Sequence, residues 1–173
     1  MSTSLYELTV PNYLQVGNAL RGVLDKAASH FTAEGVDLEE IASARLHPDM
    51  AQFRFQVFCI AHHSHAAVEA LLSGEFLAPS GYETLSYEAL QDGLAQAMAA
   101  LEAVDRDALD ARAGSALVFR LGENEIPFTA ENFVQSFSMP NFHFHATTTY
   151  AILRARGVDI GKRDFLGALK MGA

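Results

Sequence analysis

The segment "AHHSHAA" (61–67) places His62, His63 and His65 on one helical stretch, and "NFHFHA" (141–146) adds His143 and His145. Neutral imidazoles are the commonest protein ligands of transition metals. Imidazoles from two facing helices can hold a divalent ion and leave positions open for water, as catalytic zinc sites do. Each helical residue turns by about 100°. Against the apolar stripe of its helix, His65 lies at one margin, His63 at the other, and His62 points largely away. One helix therefore cannot aim all three at a single ion, but His62 and His65 are i, i+3 neighbours and can share one. His145 flanks the apolar face of its own helix, while His143 points the other way. The candidate metal residues are thus His62, His65 and His145, and the candidate ions are zinc, nickel or iron. Two imidazoles would hold such an ion weakly and lose it as pH falls through about 6.5, where ordinary histidines protonate. The plain alternative is hydrogen-bonded histidines at the edge of a core. No C-x-x-C, H-E-x-x-H or Glu-x-x-His spacing argues against it.

Cys59 precedes His63 by one helical turn, so thiol and imidazole can meet at i, i+4. A Cys–His nucleophile needs such a base within reach, but a lone cysteine is ordinarily a small buried hydrophobe. The carboxylates of "ENEIPFTAENF" and "LDARAG" read as solvated loop and helix-start charges. The glycines of "GVDIGKRDFLG" fall outside any strand-to-helix turn, so this is not a phosphate-binding loop.

The elements that must position these side chains are helical. Val16, Leu20, Val23, Leu24, Ala27 and Phe31 form the stripe of a first helix starting near Pro11 and stopping at Gly35. A second helix begins after Pro48 and Asp49, with Phe53, Val57, Ile60, Ala61, Ser64, Val68 and Leu71 on one face, and ends at Gly74. "EFLAPSGYE" reads as a loop. Thr84 or Ser86 caps a third helix carrying Tyr87, Leu90, Leu94, Ala97, Leu101 and Val104. "SALVFRLGENEIPFT" gives two short alternating runs around Gly122 to Asn124, a β-hairpin. Thr129 caps a fourth helix that Pro140 should kink and Gly157 should end. The expected fold is all-α: a four-helix bundle with a small β-hairpin inserted before the last helix, in one domain over 1–173. Leu20, Leu24, Val57, Leu94, Leu101 and Thr148 should meet at its centre.

Net charge is −9 in 173 residues, which disfavours nucleic acid as a partner. No apolar run approaches 18 residues and "MSTSLYELTV" has no signal-peptide pattern, so no membrane association and a cytoplasmic location are expected. Phe55, Phe58 and His143 fall off the core stripes and motivate a two-fold homodimer. Phe133, Phe137, Phe142 and Phe144 either fill the core or line a space for a small apolar ligand.

"SLYELTVPNYL", "ARLHPDM", "PNFHFHATTTYAILRARGV" and "GKRDFLG" resemble a family of bacterial proteins catalogued as a domain of unknown function, similar to the DinB/YfiT-like bundles. The resemblance covers nearly the whole chain. It implies a four-helix bundle, often dimeric, in a superfamily that includes metal-dependent thiol transferases. Where that superfamily has a metal site, one histidine comes from the second helix and an i, i+4 pair from the last. His145 matches the first of that pair, but the second position is Thr149, a poor zinc ligand. The sequence therefore favours a DinB-like bundle with a degenerate or absent metal site. A metal-dependent thiol transferase or hydrolase, or a dimeric ligand-binding or structural protein, are the alternatives.

Overall fold

The computed structural model describes residues 3–171; residues 1–2 and 172–173 of the expected 1–173 unit lie outside the described residues. The chain begins with α1 (Leu5–Ala33), which opens earlier than the expected start at Pro11. Two acceptors meet its first free N–H groups: Ser4 Oγ takes Glu7 N–H at 3.3 Å and Asp110 Oδ1 takes Tyr6 N–H at 2.7 Å. Pro11 sits inside the helix without ending it. Proline frees the carbonyl four residues earlier, that of Glu7, which is on the exposed face where water can meet it. After α2 (Leu38–Ala42), the second long helix runs as α3 (Phe53–Ala61), a π-helical turn (His62–Ala66) and α4 (Ala67–Ser73). Gly74, at φ 90°, stops it.

Ser86 caps α5 (Tyr87–Glu102), followed by the short α6 (Arg106–Asp110). Thr129 caps the last long helix, which runs as α7 (Ala130–Phe133), a second π-helical turn (Val134–Ser138) and α8 (Met139–Ala155). The expected kink at Pro140 takes the form of this widened turn just before it. Proline cannot donate to the ladder, and the next residue's side chain adds a bond nearby, Asn141 Nδ2 donating to Phe137 O at 2.7 Å. The tail forms α9 (Lys162–Leu166), which packs on α1.

α1, α5, α3 and α8 surround one core, each long helix touching two of the others: α1 meets α5 and α8, and so does α3. This is the expected four-helix bundle. The hairpin is also present, as β2 (Ala116–Leu121) against β3 (Asn124–Thr129), antiparallel. The loop expected at "EFLAPSGYE" instead contributes β1 (Glu75–Leu77), parallel to β2 with Phe76 opposite Phe119. The result is a three-stranded sheet, more stable than an isolated hairpin.

Leu20, Leu24, Val57, Leu94, Leu101 and Thr148 are all buried. Leu94→Ala should lower stability by about 2–5 kcal/mol, as buried leucine truncations do; an unchanged denaturant midpoint would contradict this packing. Phe55 and Phe58 are half-buried against Tyr82, with ring centroids 4.7 and 5.7 Å away. Their own chain therefore covers much of the surface that the sequence leaves unexplained. Phe133 and Phe142 are fully buried and Phe137 packs against the core, while Phe144 is exposed. Phe133, Phe137 and Phe142 thus fill the bundle core, and Phe144 does not.

Candidate metal centre

α3 is buried on two sides because it lies between α5 and α8. Its α8 side carries Gln56, Cys59 and His63, all buried. Opposite them, α8 presents His145, also buried. One ligand atom from each of Cys59, His63 and His145 lies within 4.8 Å of the others, a group that could hold a metal ion. Tetrahedral zinc, with bonds of about 2.3 Å to sulfur and 2.0–2.1 Å to nitrogen, would set such atoms roughly 3.5 Å apart. The His63 and His145 rings stack nearly parallel, with centroids 5.6 Å apart and 10° between planes.

The π-helical turn shapes this group. His63 and Ser64, adjacent in sequence, are both buried within it. Ala67 N–H reaches back to His62 O, the widened bond of the π turn. Ser64 Oγ donates to Ile60 O at 2.7 Å, meeting a carbonyl at the entrance to that turn. Phe137, from the second π turn, sets its ring against His63 at 5.6 Å. Such single-turn π insertions are frequent at functional sites. Phe76 of β1 closes another side, 5.6 Å from His63.

Burial governs the electrostatics. Desolvation pushes His63 down to about 3, helped by the neighbouring His62 and His145. Desolvation, with His62, pushes His145 down to about 4. The Cys59 thiol is pushed up to about 12 by burial. At neutral pH the group is therefore one thiol and two neutral imidazoles. A thiol so held is a poor nucleophile, since the thiolate is the reactive form. Both imidazoles, by contrast, are in the form that binds metal. His63 Nδ1 is buried with no hydrogen-bond partner among the described residues. A buried polar atom without a partner costs about 1–3 kcal/mol, a cost that a bound ion would remove. The donor set and this unpartnered nitrogen fit a divalent metal.

The residues singled out from sequence divide. His145 is in the group. His62 is not: it is half-buried, and its Nε2–H donates to Leu77 O at 3.0 Å. His65 is not: it is half-buried on the α5 side, 3.7 Å from Glu69 Oε1. His143 is half-buried beside Phe142. Thr149 is fully buried, and its Oγ1 has no partner. His63 and Cys59 were legible as an i, i+4 pair, but their junction with His145 was not. Their stripe is disguised, because polar Gln56 and His63 interrupt what is otherwise a second buried face.

On the α5 side of α3 runs an apolar groove of about 560 Å³, walled by Phe58, Ala61, Leu85, Gly93 and Ala97, with His62 and His65 at its edge. His62 borders this groove and also touches the His63 ring at 5.3 Å.

A mostly helical bundle with a small three-stranded sheet and a buried Cys–His–His group defines a DinB-like protein with a candidate metal centre. The chain belongs to the family described as "Domain of unknown function (DUF1993)", which it matches over residues 5–166. It is similar to a DinB family member protein from Shewanella denitrificans, known from a crystal structure, at 26% identity and a TM-score of 0.81. That alignment covers 98% of this chain and 95% of the other. No curated protein matches the chain. Among the described residues, no helix is long and apolar enough to cross a membrane.

Proposed function

We propose that the protein binds one divalent transition metal through Cys59, His63 and His145, and that it is a metal-dependent transferase or hydrolase acting on a small thiol or related molecule. The observation that carries this is the burial of three convergent ligands, one of them with an unpartnered nitrogen. Three protein ligands are the number catalytic zinc sites use, leaving a position for water or substrate. Bound there, the ion would act as a Lewis acid on a thiol or water. The chain's own residues supply the rest. Phe76 and Phe137 keep bulk water from the ligands, and His62 stands between them and the groove. The groove suits the apolar body of a small substrate. The thiol-transfer chemistry rests on the resemblance to DinB-like bundles, and this ligand set replaces the two-imidazole site read from sequence.

Metal analysis of protein purified without a histidine tag, followed by zinc titration, tests this reading. About one equivalent per chain is expected at saturation. No uptake at micromolar zinc would overturn it, and ligand binding in the groove without metal would then favour a binding protein.

A further inference from the structure

Gln56 touches the metal group without belonging to it. It is buried, on the same side of α3 as Cys59 and His63. Its Nε2 donates to Ala51 O at 3.2 Å, and its Oε1 lies 2.8 Å from His145 Nδ1. A backbone carbonyl can only accept, so Ala51 fixes which end of the amide faces which way. Rotating the amide would set Oε1 against a carbonyl oxygen and lose that bond. With Oε1 facing the ring, His145 Nδ1 must be the donor and carry the proton. The single lone pair of the neutral ring is then on Nε2. The chain of dependence runs from Ala51 O to the Gln56 amide to the His145 tautomer.

We infer that Gln56 is the positioning residue of this centre: it holds His145 as the Nδ1–H tautomer, so that Nε2 is the nitrogen offered to an ion shared with Cys59 and His63. This rests on the metal reading proposed above. Metal-binding histidines generally donate their other ring N–H to such a partner, and losing the partner costs about 10–100-fold in metal affinity. A glutamine keeps the partner uncharged, so no buried carboxylate is needed beside a thiol and two imidazoles.

The test uses ¹⁵N-labelled, metal-free protein and zinc competition with a chromophoric chelator. In wild type, long-range ¹H–¹⁵N spectra should show His145 protonated at Nδ1 and bare at Nε2. Gln56→Met, close in volume but only a weak hydrogen-bond acceptor, should shift the ring toward the Nε2–H form. It should also weaken zinc binding by about 10–100-fold. Gln56→Glu restores an acceptor and should return both the Nδ1–H tautomer and an affinity within a few-fold of wild type. Melting curves of each variant separate this role from loss of fold, and should Gln56→Met not fold, the wild-type and Gln56→Glu spectra still decide. Wild type that binds zinc with His145 protonated at Nε2 in the metal-free state would overturn the positioning role alone. So would Gln56→Met with unchanged tautomer and affinity. Wild type with the Nδ1–H tautomer and no zinc binding would overturn the metal reading, and the positioning role with it, while leaving the hydrogen-bond relay intact.

Discussion

Cys59→Ser protein should bind zinc about 100-fold more weakly than wild type, or worse, because the substitution removes the one donor of the group able to become anionic and leaves two imidazoles. The thiol must lose its proton to ligate. Burial holds that proton on Cys59, whereas His63 and His145 have none to lose at neutral pH. Zinc uptake at pH 7 should therefore release close to one proton in wild type and close to none in Cys59→Ser. Calorimetry in buffers of different ionisation enthalpy measures this directly. The same logic sets the pH profile. Wild-type affinity should rise about tenfold per pH unit through neutrality, following the thiol. The break near pH 6.5 that ordinary imidazoles would give should not appear. Equal affinities for the two proteins, or a proton count of zero in wild type, would remove Cys59 from the ligand set. Thr149→His, which the sequence recommends as restoring an i, i+4 pair, is a poorer test: Thr149 is fully buried, and a larger ring there would overpack the core.

The bundle was legible because its signals are local. Ser86, Thr129, Gly35, Gly74 and Gly157 mark helix ends through capping chemistry that acts over a few residues, and the structure keeps each at such an end. β1 was not legible. It is three residues long and pairs with a strand some forty positions later, so no local pattern announces it. The start of α1 was misplaced because Pro11 reads as an early-helix residue, although the local cap Ser4 precedes the true start and Asp110, distant in sequence, adds a second acceptor. The metal group was half legible. A wheel built on the apolar stripe puts His63 and His65 at opposite margins, and the i, i+3 spacing then pairs His65 with His62. That construction assumes one buried face, and α3 has two. The second face is written in Gln56, Cys59 and His63, of which only the cysteine reads as buried until their partner on α8 is known. The π turns add a further uncertainty, since each inserts a residue that no periodicity reveals.

Metal-free protein should lose stability steeply as pH falls below 6.5 toward about 4, and the part of that loss between 6.5 and 5 lies above the range where carboxylates titrate. In the unfolded chain His63 and His145 protonate near 6.5. In the folded chain they resist protonation down to about 3 and about 4, because burial penalises the charged ring. Between those limits the unfolded state binds more protons than the folded state, so stability falls as pH falls. Each such histidine contributes a slope of about 1.4 kcal/mol per pH unit, and two acting together approach twice that. The effect is absent above 6.5, where both states are neutral at these positions. Asp110 and Asp164 also have lowered values, from the Tyr6 N–H and the Lys26 side chain respectively. Their stabilisation is lost only as pH falls through the ordinary carboxylate range and below, so they cannot account for a loss between 6.5 and 5. Urea midpoints measured from pH 7.5 to 4.5 give the slope. His63→Phe, which keeps a ring of similar size against Phe76 and Phe137 without a titrating group, should make it shallower, the rest coming from His145, His62 and His143, which burial also holds below the ordinary imidazole value. A wild-type midpoint that stays level from pH 7 to 5 would mean that these imidazoles take up protons as readily folded as unfolded. The neutral, dry group on which the metal reading depends would then not exist.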